Sequence, residues 1–348
     1  MPPTLKNGHV PPLTRLARYN NARHPRLTPW AQRCRRIRGY ELVNNMRANG
    51  ILEMDSYRLA QYTVPAPCYI CGGGNNFDAE LCRHCYAPMA LAHQAASQKI
   101  HPRMIAAIGS SGAGKTVYLG MLTDMLSKQV EPMQLLARGA FSIGLQEKTM
   151  AALSRCEFPA KTPNEPDRWN WMHCQVLRGK QKPVELIMPD LAGESLLEEI
   201  DHPNTFPVIR AFLAKCAGIL VLVDAPRVEQ GQTDEDFHTM KIVSYLLELQ
   251  ADKKTGWGTR PVALLYTKAD ECEHCFDDPA AFARRHTPGL FQQCRERLKR
   301  HRYFGTGVAG ACGYRRESHG GQVHVPLRIE PRGIVEPFQW LLEEVAKG

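Results

Sequence analysis

Residues 103–122 decide the fold, and they read Arg-Met-Ile-Ala-Ala-Ile-Gly-Ser-Ser-Gly-Ala-Gly-Lys-Thr-Val-Tyr-Leu-Gly-Met-Leu. The apolar run from Arg103 to Ile108 predicts a short buried strand, and the pattern from Val117 to Leu122 is typical of a helix. The loop between them is rich in glycine, so successive backbone N–H groups can converge on a phosphate at the positive end of the helix dipole. The sequence therefore predicts a phosphate cradle between a strand and a helix.

The last two residues of this loop carry its chemistry. Lys115 would reach the β- and γ-phosphates of a nucleotide as a point charge, and the Thr116 hydroxyl would coordinate Mg²⁺. The strand and helix on either side make the pattern specific for a nucleoside triphosphate. The predicted nucleotide-binding residues of the loop are Gly109, Ser110, Ser111, Gly112, Ala113, Gly114, Lys115 and Thr116.

A second motif, Asp-Leu-Ala-Gly-Glu, follows two predicted strands at Trp169 to Leu177 and Val184 to Met188. An Asp at the carboxyl end of a strand can hold Mg²⁺ through water, and the N–H of a nearby glycine can bond a γ-phosphate. Asp190 and Gly193 occupy these two positions. We therefore predict that this loop distinguishes a triphosphate from a diphosphate.

The choice of base is predicted at the end of a further strand, where the chain reads Thr267-Lys268-Ala269-Asp270. A carboxylate at Asp270 would accept the N1–H and N2–H₂ groups of guanine, a pair of donors that adenine does not present. The stem of Lys268 would pack over the base. These residues predict GTP and GDP as ligands.

The three motifs, in this order, resemble the superclass of P-loop GTPases that contains the translation factors and the Ras-like proteins. In detail the chain is similar to the bacterial double-GTPase type-two group, which has a like Asp-Leu-Ala-Gly-Glu segment, a preceding zinc ribbon and a C-terminal segment like Pro331 to Pro337. The resemblance covers about residues 65–346. It implies a GTP-binding switch protein that acts with a protein partner in a bacterial system of conflict or defence. We expect its Mg²⁺-dependent hydrolysis to be weak, because Glu194 is a poor match to a water-orienting amide and no arginine finger is evident.

The resemblance also implies roles that the motifs alone do not assign. Thr162 is the candidate for the first switch, with Thr149 as the alternative, and Ala309 is the candidate in the last base-contacting loop. Glu194 stands where many such GTPases place a water-orienting Gln, and no arginine finger can be assigned. Thr267 replaces the more frequent Asn and lacks the amide that would help tie the base loop to the P-loop, so we expect looser or less exclusive guanine binding. The predicted catalytic residues are Lys115, Thr116, Thr162, Asp190, Gly193 and Glu194, with Thr116 and Asp190 as Mg²⁺ ligands.

Four of the twelve cysteines form two closely spaced C-x-x-C pairs. Two such pairs can present four thiolates to one zinc ion in a closed, tetrahedral, structural site. The predicted zinc ligands are Cys68, Cys71, Cys82 and Cys85. A further pair, Cys272 and Cys275, has no second pair at a suitable spacing, so metal binding there is left open.

Charge is concentrated at the start of the chain. Residues 1–60 hold eleven basic residues against three acidic ones, so almost all of the net charge of +9 lies there. Such an arm suits nucleic acid, an acidic partner or an anionic membrane surface; the alternative is a solvated face that docks on its own domain. The chain lacks a secretory signal and an apolar run of the roughly 18–20 residues that cross a bilayer. We therefore expect a cytoplasmic protein without a transmembrane segment.

The expected architecture is a three-layer α/β domain with a mostly parallel sheet, one antiparallel strand and helices on both faces. We predict a basic arm at 1–62, a zinc ribbon at 63–92 and a P-loop GTPase domain at 101–348, with an insertion at about 133–168. Two other functions stay open. One is an ATP-hydrolysing P-loop enzyme, and the other is a non-hydrolysing, nucleotide-bound scaffold that holds nucleic acid through its ribbon and arm.

Overall fold

The computed structural model describes residues 65–128, 133–179, 181–250, 253–256, 258–316 and 320–347. All of them belong to one compact unit, Ala60–Gly348. The predicted basic arm, residues 1–62, lies outside the described residues. Within the described residues, no helix combines the length and the apolar character that a membrane span requires.

The described chain begins with a small ribbon built on the two C-x-x-C pairs. Strands β1 (Ala66–Pro67) and β2 (Gly74–Asn75) pair antiparallel, and helix α1 (Met89–Gln98) follows. Ile70 and Met89 are fully buried in the same apolar cluster as helices of the main domain. The ribbon is therefore packed onto the domain rather than tethered to it.

A seven-stranded sheet forms the centre of the domain. Its strands are β3 (Arg103–Gly109), β4 (Met133–Ala137), β5 (Trp171–Arg178), β6 (Val184–Pro189), β7 (Gly218–Asp224), β8 (Val262–Thr267) and β9 (His301–Gly305). Their order is β4-β5-β6-β3-β7-β8-β9, and β5 alone among them runs opposite to the other six. This sheet confirms the predicted fold class.

Helices cover both faces of the sheet because successive strand residues point to opposite sides. In β3, Ile105 packs with one apolar cluster while Met104 and Ala106 pack with the other. The helices are α2 (Lys115–Ser127), α3 (Gly144–Ser154), α4 (Gly193–Asp201), α5 (Pro207–Lys215), α6 (Ala225–Glu229), α7 (Thr233–Gln250), α8 (His274–Asp277), α9 (Pro279–His286), α10 (Pro288–Arg297) and α11 (Val335–Lys347). The result is the expected three-layer arrangement.

The stretch predicted as an insertion is largely built into the domain. It contributes β4, which pairs with β5 at the edge of the sheet, and α3, which packs against α2. The sequence pattern alone does not predict β4. Its five residues are too few to give a clear alternation, and the strand depends on pairing with β5.

A two-stranded antiparallel hairpin stands outside the main sheet, and the sequence analysis did not predict it either. Strand β10 (Gly307–Arg316) pairs with β11 (Gln322–Arg332), and the pairing is irregular between Gly307 and Cys312. Three glycines in β10 and Pro326 in β11 weaken the strand signal in the sequence. The hairpin forms one wall of the cavity described next.

Candidate nucleotide-binding site

The P-loop connects β3 to α2 in the predicted geometry. Gly112 and Gly114 have φ angles of 80° and 79°, a conformation that favours glycine. The Lys115 ammonium folds back and donates to the carbonyl oxygens of Gly109 at 3.0 Å and Ser110 at 2.7 Å. Burial lowers the pKa of Lys115 to about 8, and the nearby Asp190 carboxylate opposes this effect. The buried Lys115 ammonium thus lies beside the N-terminus of α2.

Three side-chain oxygens meet beside this loop. The Thr116 hydroxyl lies 3.0 Å from Oδ2 of Asp190 and 3.0 Å from the Thr162 hydroxyl. The Thr162 hydroxyl donates to the same carboxylate oxygen at 2.9 Å. Burial raises the pKa of Asp190, and its bonds to the two threonines lower it. Two hydroxyls and one carboxylate are the oxygen ligands that Mg²⁺ takes in nucleotide sites, so the residues fit that ion.

The alternative first-switch residue, Thr149, lies elsewhere. It is fully buried where α3 packs on α2, and its hydroxyl lies 2.2 Å from the position that a Cβ on Gly120 would occupy. Only Thr162 of the two candidates comes near Asp190.

Gly193 brings the second motif against the P-loop. A Cβ on this residue would lie 2.6 Å from the carbonyl carbon of Ser110 and 2.6 Å from the nitrogen of Ser111. Two backbones can approach this closely only where no side chain intervenes. The Asp190–Gly193 loop and the P-loop are therefore packed as one surface.

Glu194 does not stand alone beside this surface. Its carboxylate pairs with the ammonium of Lys161 and accepts a hydrogen bond of 3.1 Å from the Asn164 amide. These two donors hold the pKa of Glu194 below its usual range. Lys161 immediately precedes Thr162, so the pair links the two predicted switch segments.

The base loop is tied to the P-loop in spite of the missing amide. The Thr267 hydroxyl lies 2.9 Å from the carbonyl oxygen of Ala113 and 3.1 Å from that of Val223. A hydroxyl therefore still bonds the two loops, and Thr267 Cβ lies 3.9 Å from the Cβ position of Gly114. The Lys268 ammonium pairs with the buried carboxylate of Asp224.

Asp270 lies in the short turn that follows β8. Burial raises the pKa of its carboxyl to about 6, while the N–H of Val308 lowers it. A Cβ on Gly307 would lie 2.4 Å from its Oδ1, so glycine is needed where β10 begins. Ala309, the candidate from the last loop, lies two residues further on and borders the same cavity.

These groups surround one cavity of about 410 Å³ at the carboxyl ends of the parallel strands. A volume of this order suits a small-molecule ligand. Its walls combine the P-loop, the segment 158–162, Gly193, the base loop and the hairpin. The structure therefore brings the predicted phosphate, magnesium and base residues together, although they are spread from residue 109 to residue 309.

Arg227 is a further residue of this cavity that the sequence analysis missed. Its guanidinium donates to the carbonyl of Ser111 at 3.1 Å and lies 3.6 Å from Asp224 and 3.7 Å from Glu235. Glu235 is buried behind the P-loop, where it accepts a hydrogen bond of 2.6 Å from the Ser110 hydroxyl. No local pattern indicated this position, because it depends on α6 and α7 folding onto the P-loop.

The four ribbon cysteines form a compact cluster. The Sγ atoms of Cys68 and Cys85 are 3.7 Å apart, and those of Cys71 and Cys82 are 3.6 Å apart. A tetrahedron with zinc–sulfur bonds of 2.3 Å has edges of about 3.8 Å. The cluster therefore fits zinc. Cys272 and Cys275 belong to no cluster of three or more ligands among the described residues; the Cys272 thiol donates to Glu229 at 2.9 Å.

The comparisons with known proteins agree with the fold. Residues 106–256 match the model of the Double-GTPase 1 family, which confirms a GTPase-like domain and the resemblance to P-loop GTPases. The matching family model is Double-GTPase 1, whereas the sequence motifs resemble the double-GTPase type-two group. No curated protein matches the chain.

Three solved structures are similar at low sequence identity. The Arl6 BBS3 small GTPase from Trypanosoma brucei is 12% identical with a TM-score of 0.36, over 71% of this chain and 99% of that one. An NFeoB mutant from S. thermophilus bound to GDP is 14% identical with a TM-score of 0.31, over 70% of this chain and 61% of that one. The S. cerevisiae Ski7 GTPase-like domain bound to GTP is 14% identical with a TM-score of 0.40, over 71% of this chain and 51% of that one. The chain spans less than two thirds of the last two structures.

Proposed function

We propose that this protein is a GTP-binding switch that hydrolyses GTP slowly and with Mg²⁺. The observation that carries the proposal is that Lys115, Thr116, Thr162 and Asp270 line one cavity, and that the Asp190 carboxylate bonds to both threonine hydroxyls. These groups match the terminal phosphates, the metal ion and the guanine edge respectively.

The phosphate end binds by charge and by backbone donors. The P-loop N–H groups and the α2 dipole would face the β-phosphate, and Lys115 would exchange its bonds to the Gly109 and Ser110 carbonyls for bonds to the β- and γ-phosphates. Mg²⁺, when bound, neutralises developing charge between these phosphates. Thr116 would hold it directly, and Asp190 would hold it through water.

The switch consists of two segments that contact each other directly through the Thr162–Asp190 hydrogen bond and that would both bond the terminal phosphate. The N–H groups of Thr162 and Gly193 would both bond the γ-phosphate, and the Lys161–Glu194 pair joins the segments at the surface. Loss of that phosphate removes both backbone bonds. The segments are then held only by their direct contacts, among them the Thr162–Asp190 hydrogen bond and the exposed Lys161–Glu194 pair, which contributes little by itself.

Hydrolysis should be slow because the groups that act only in the transition state are incomplete. Lys161 and Arg227 are cations within the chain that border the phosphate side of the cavity. Glu194, however, is a carboxylate already paired with Lys161, so it lacks the amide that would orient an attacking water.

Asp270 favours GTP over the ATP-hydrolysing alternative, since an ionised carboxylate pairs with guanine and not with adenine. The scaffold alternative requires nucleic-acid binding through the ribbon and the arm. We further propose that the chain divides into a basic arm at 1–62, a zinc ribbon at 63–92 and a P-loop GTPase domain at 101–348. It also includes a cytoplasmic location, a protein partner, a nucleic-acid contact through residues 1–60 and a role in bacterial conflict or defence.

Equilibrium competition against a fluorescent GTP analogue tests the proposal. In the presence of Mg²⁺, GTP and GDP should displace the analogue at concentrations at least about 100-fold lower than ATP, since a lost pair of donors to the half-buried Asp270 carboxylate costs about 2–3 kcal/mol. Displacement by ATP at the same concentration would favour the ATP-hydrolysing alternative. Absence of nucleotide binding would refute the proposal.

A further inference from the structure

A second group of metal-ligating side chains lies at the base end of the cavity, apart from the zinc ribbon. It consists of Glu271, Cys312 and His324, and one ligand atom from each lies within 4.8 Å of the other two. Nε2 of His324 is 3.8 Å from Oε1 of Glu271. Ligand atoms in a tetrahedral zinc site are about 3.3–3.8 Å apart, so movements of roughly 1 Å would close this set on one ion.

The three residues reach this point from separate parts of the chain. Glu271 ends the short turn after β8, Cys312 lies in β10 and His324 lies in β11. Cys312 faces Pro326 across the hairpin and Tyr314 faces His324, so Cys312 and His324 are diagonal neighbours on one face. Their spacing in the sequence gives no metal-site pattern, which is why only the fold reveals them.

The surroundings favour a cation. The Asp270 and Glu271 carboxylates are consecutive in the short turn beside the hairpin, and the nearby Lys268 ammonium is paired with Asp224. The His324 ring lies between the rings of Phe158, at 5.8 Å, and Tyr314, at 5.2 Å, which fix its position. All three ligand residues border the cavity, so an ion can enter from solvent.

We propose that Glu271, Cys312 and His324 bind one divalent transition-metal ion, with zinc as the expected metal. One oxygen, one sulfur and one nitrogen ligand suit zinc, whereas a thiolate disfavours Mg²⁺. Three protein ligands leave a fourth position open towards the cavity, unlike the closed four-cysteine ribbon. The ion joins the hairpin to the loop that carries Asp270.

Metal counting on the full chain tests this site. The protein is incubated with zinc in buffer containing Mg²⁺ and no nucleotide, then freed of unbound metal by gel filtration. We expect two zinc ions per chain for the unchanged protein and one for Cys312→Ser. The control is Cys156→Ser, which removes an exposed cysteine outside both groups and should keep two ions. A count of one in the unchanged protein, or an equal count in Cys312→Ser, would overturn the proposal.

Cobalt provides a second measurement that does not depend on one variant. The second Co²⁺ equivalent should add absorption from a single thiolate, and this increment should be lost in Cys312→Ser and kept in Cys156→Ser. His324→Asn and Glu271→Gln should each weaken binding of that equivalent at least about tenfold, since each removes one of three ligands. Unchanged binding in both variants would refute the ligand set. Because nucleotide is absent throughout, the result is independent of the proposed GTP binding.

Discussion

The hydroxyl of Thr162 lies 2.9 Å from Oδ2 of Asp190, and 28 residues separate them in the chain. Thr162 comes from the segment before β5, and Asp190 follows β6. Because β5 and β6 are antiparallel neighbours, the start of one strand lies next to the end of the other. The sheet therefore brings the two switch segments together.

This contact predicts how Thr162→Ala changes binding. Loss of the hydroxyl should raise the Mg²⁺ concentration needed for half-maximal GTP binding about tenfold, since a bond to a charged group contributes about 1.5–3 kcal/mol. GDP affinity should change less than about threefold, because Thr162 addresses the γ-phosphate side. Titration of Mg²⁺ at fixed nucleotide concentration measures both values.

Thr149→Ala is the matched control. Its hydroxyl is buried between α2 and α3, so the variant should alter the free energy of unfolding without moving the Mg²⁺ dependence. If Thr149→Ala shifts that dependence and Thr162→Ala does not, the assignment of the first switch is wrong.

Lys115→Ala should weaken triphosphate binding at least about 100-fold, because it removes a buried cation from the phosphate site. The Lys115 side chain bonds only to carbonyls of its own loop, so thermal unfolding should show a folded protein. Lys128→Ala, at the far end of α2, is a control whose affinity should not change. Equal affinities for the two variants would remove the P-loop assignment.

The sequence predicted the parts of the site that are local. The P-loop is one continuous strand, loop and helix, so its eight residues could be recognised without any tertiary contact. The same holds for the ends of β6 and β8, where a polar motif follows a run of apolar residues. Asp190 and Asp270 were found for this reason.

The parts that sequence reasoning missed depend on distant packing. Arg227 reaches Ser111 only because the buried carboxylates of Asp224 and Glu235 position it. The hairpin that carries Cys312 and His324 is rich in glycine and irregular in register, so period-two alternation is weak. Neither feature leaves a pattern in a single stretch of sequence.

Asp270→Asn should move the preference of the protein from guanine towards xanthine nucleotides. The amide offers a donor where guanine also donates, whereas xanthine offers a carbonyl acceptor at that position. We expect GTP affinity to fall at least about tenfold and XTP affinity to rise, measured by competition. An unchanged preference for GTP would contradict base recognition by Asp270.

The pH dependence of GTP binding provides the control for this variant. Burial raises the pKa of Asp270 to about 6, so the carboxylate becomes protonated below that pH and loses its acceptor role. GTP affinity should fall by up to about tenfold per pH unit below pH 6, as expected for one proton. Asp270→Asn should remove the part of the pH dependence that comes from protonation of Asp270. Any pH dependence that remains then belongs to the phosphates of the nucleotide.

Removing two ribbon cysteines should destabilise the ribbon and leave the nucleotide site in place. In Cys68→Ser with Cys82→Ser, the zinc of the ribbon should be lost, since the two remaining thiols cannot complete a tetrahedral site. Residues 65–90 should become more accessible to protease, while GTP affinity should stay within about threefold. Full retention of the zinc count in this variant would refute the structural zinc site.

Single-turnover GTP hydrolysis by the dilute, isolated protein should be slow, on the order of 10⁻⁴–10⁻² s⁻¹ as for unassisted switch GTPases. Lys115, Thr116 and Asp270 line the cavity where the ground state would bind, whereas the water-orienting position holds Glu194, a carboxylate already paired with Lys161. Arg227→Ala should lower this rate further, because its guanidinium borders the P-loop and can stabilise phosphate charge. Arg328→Ala is the matched control, because Arg328 is exposed and the variant should leave the rate unchanged. Arg260 is unsuitable as a control, since it donates to the carbonyl of Leu213 at 2.5 Å and its loss would disturb the fold. A rate of several per second without any partner would mean that the catalytic groups are already complete in this chain.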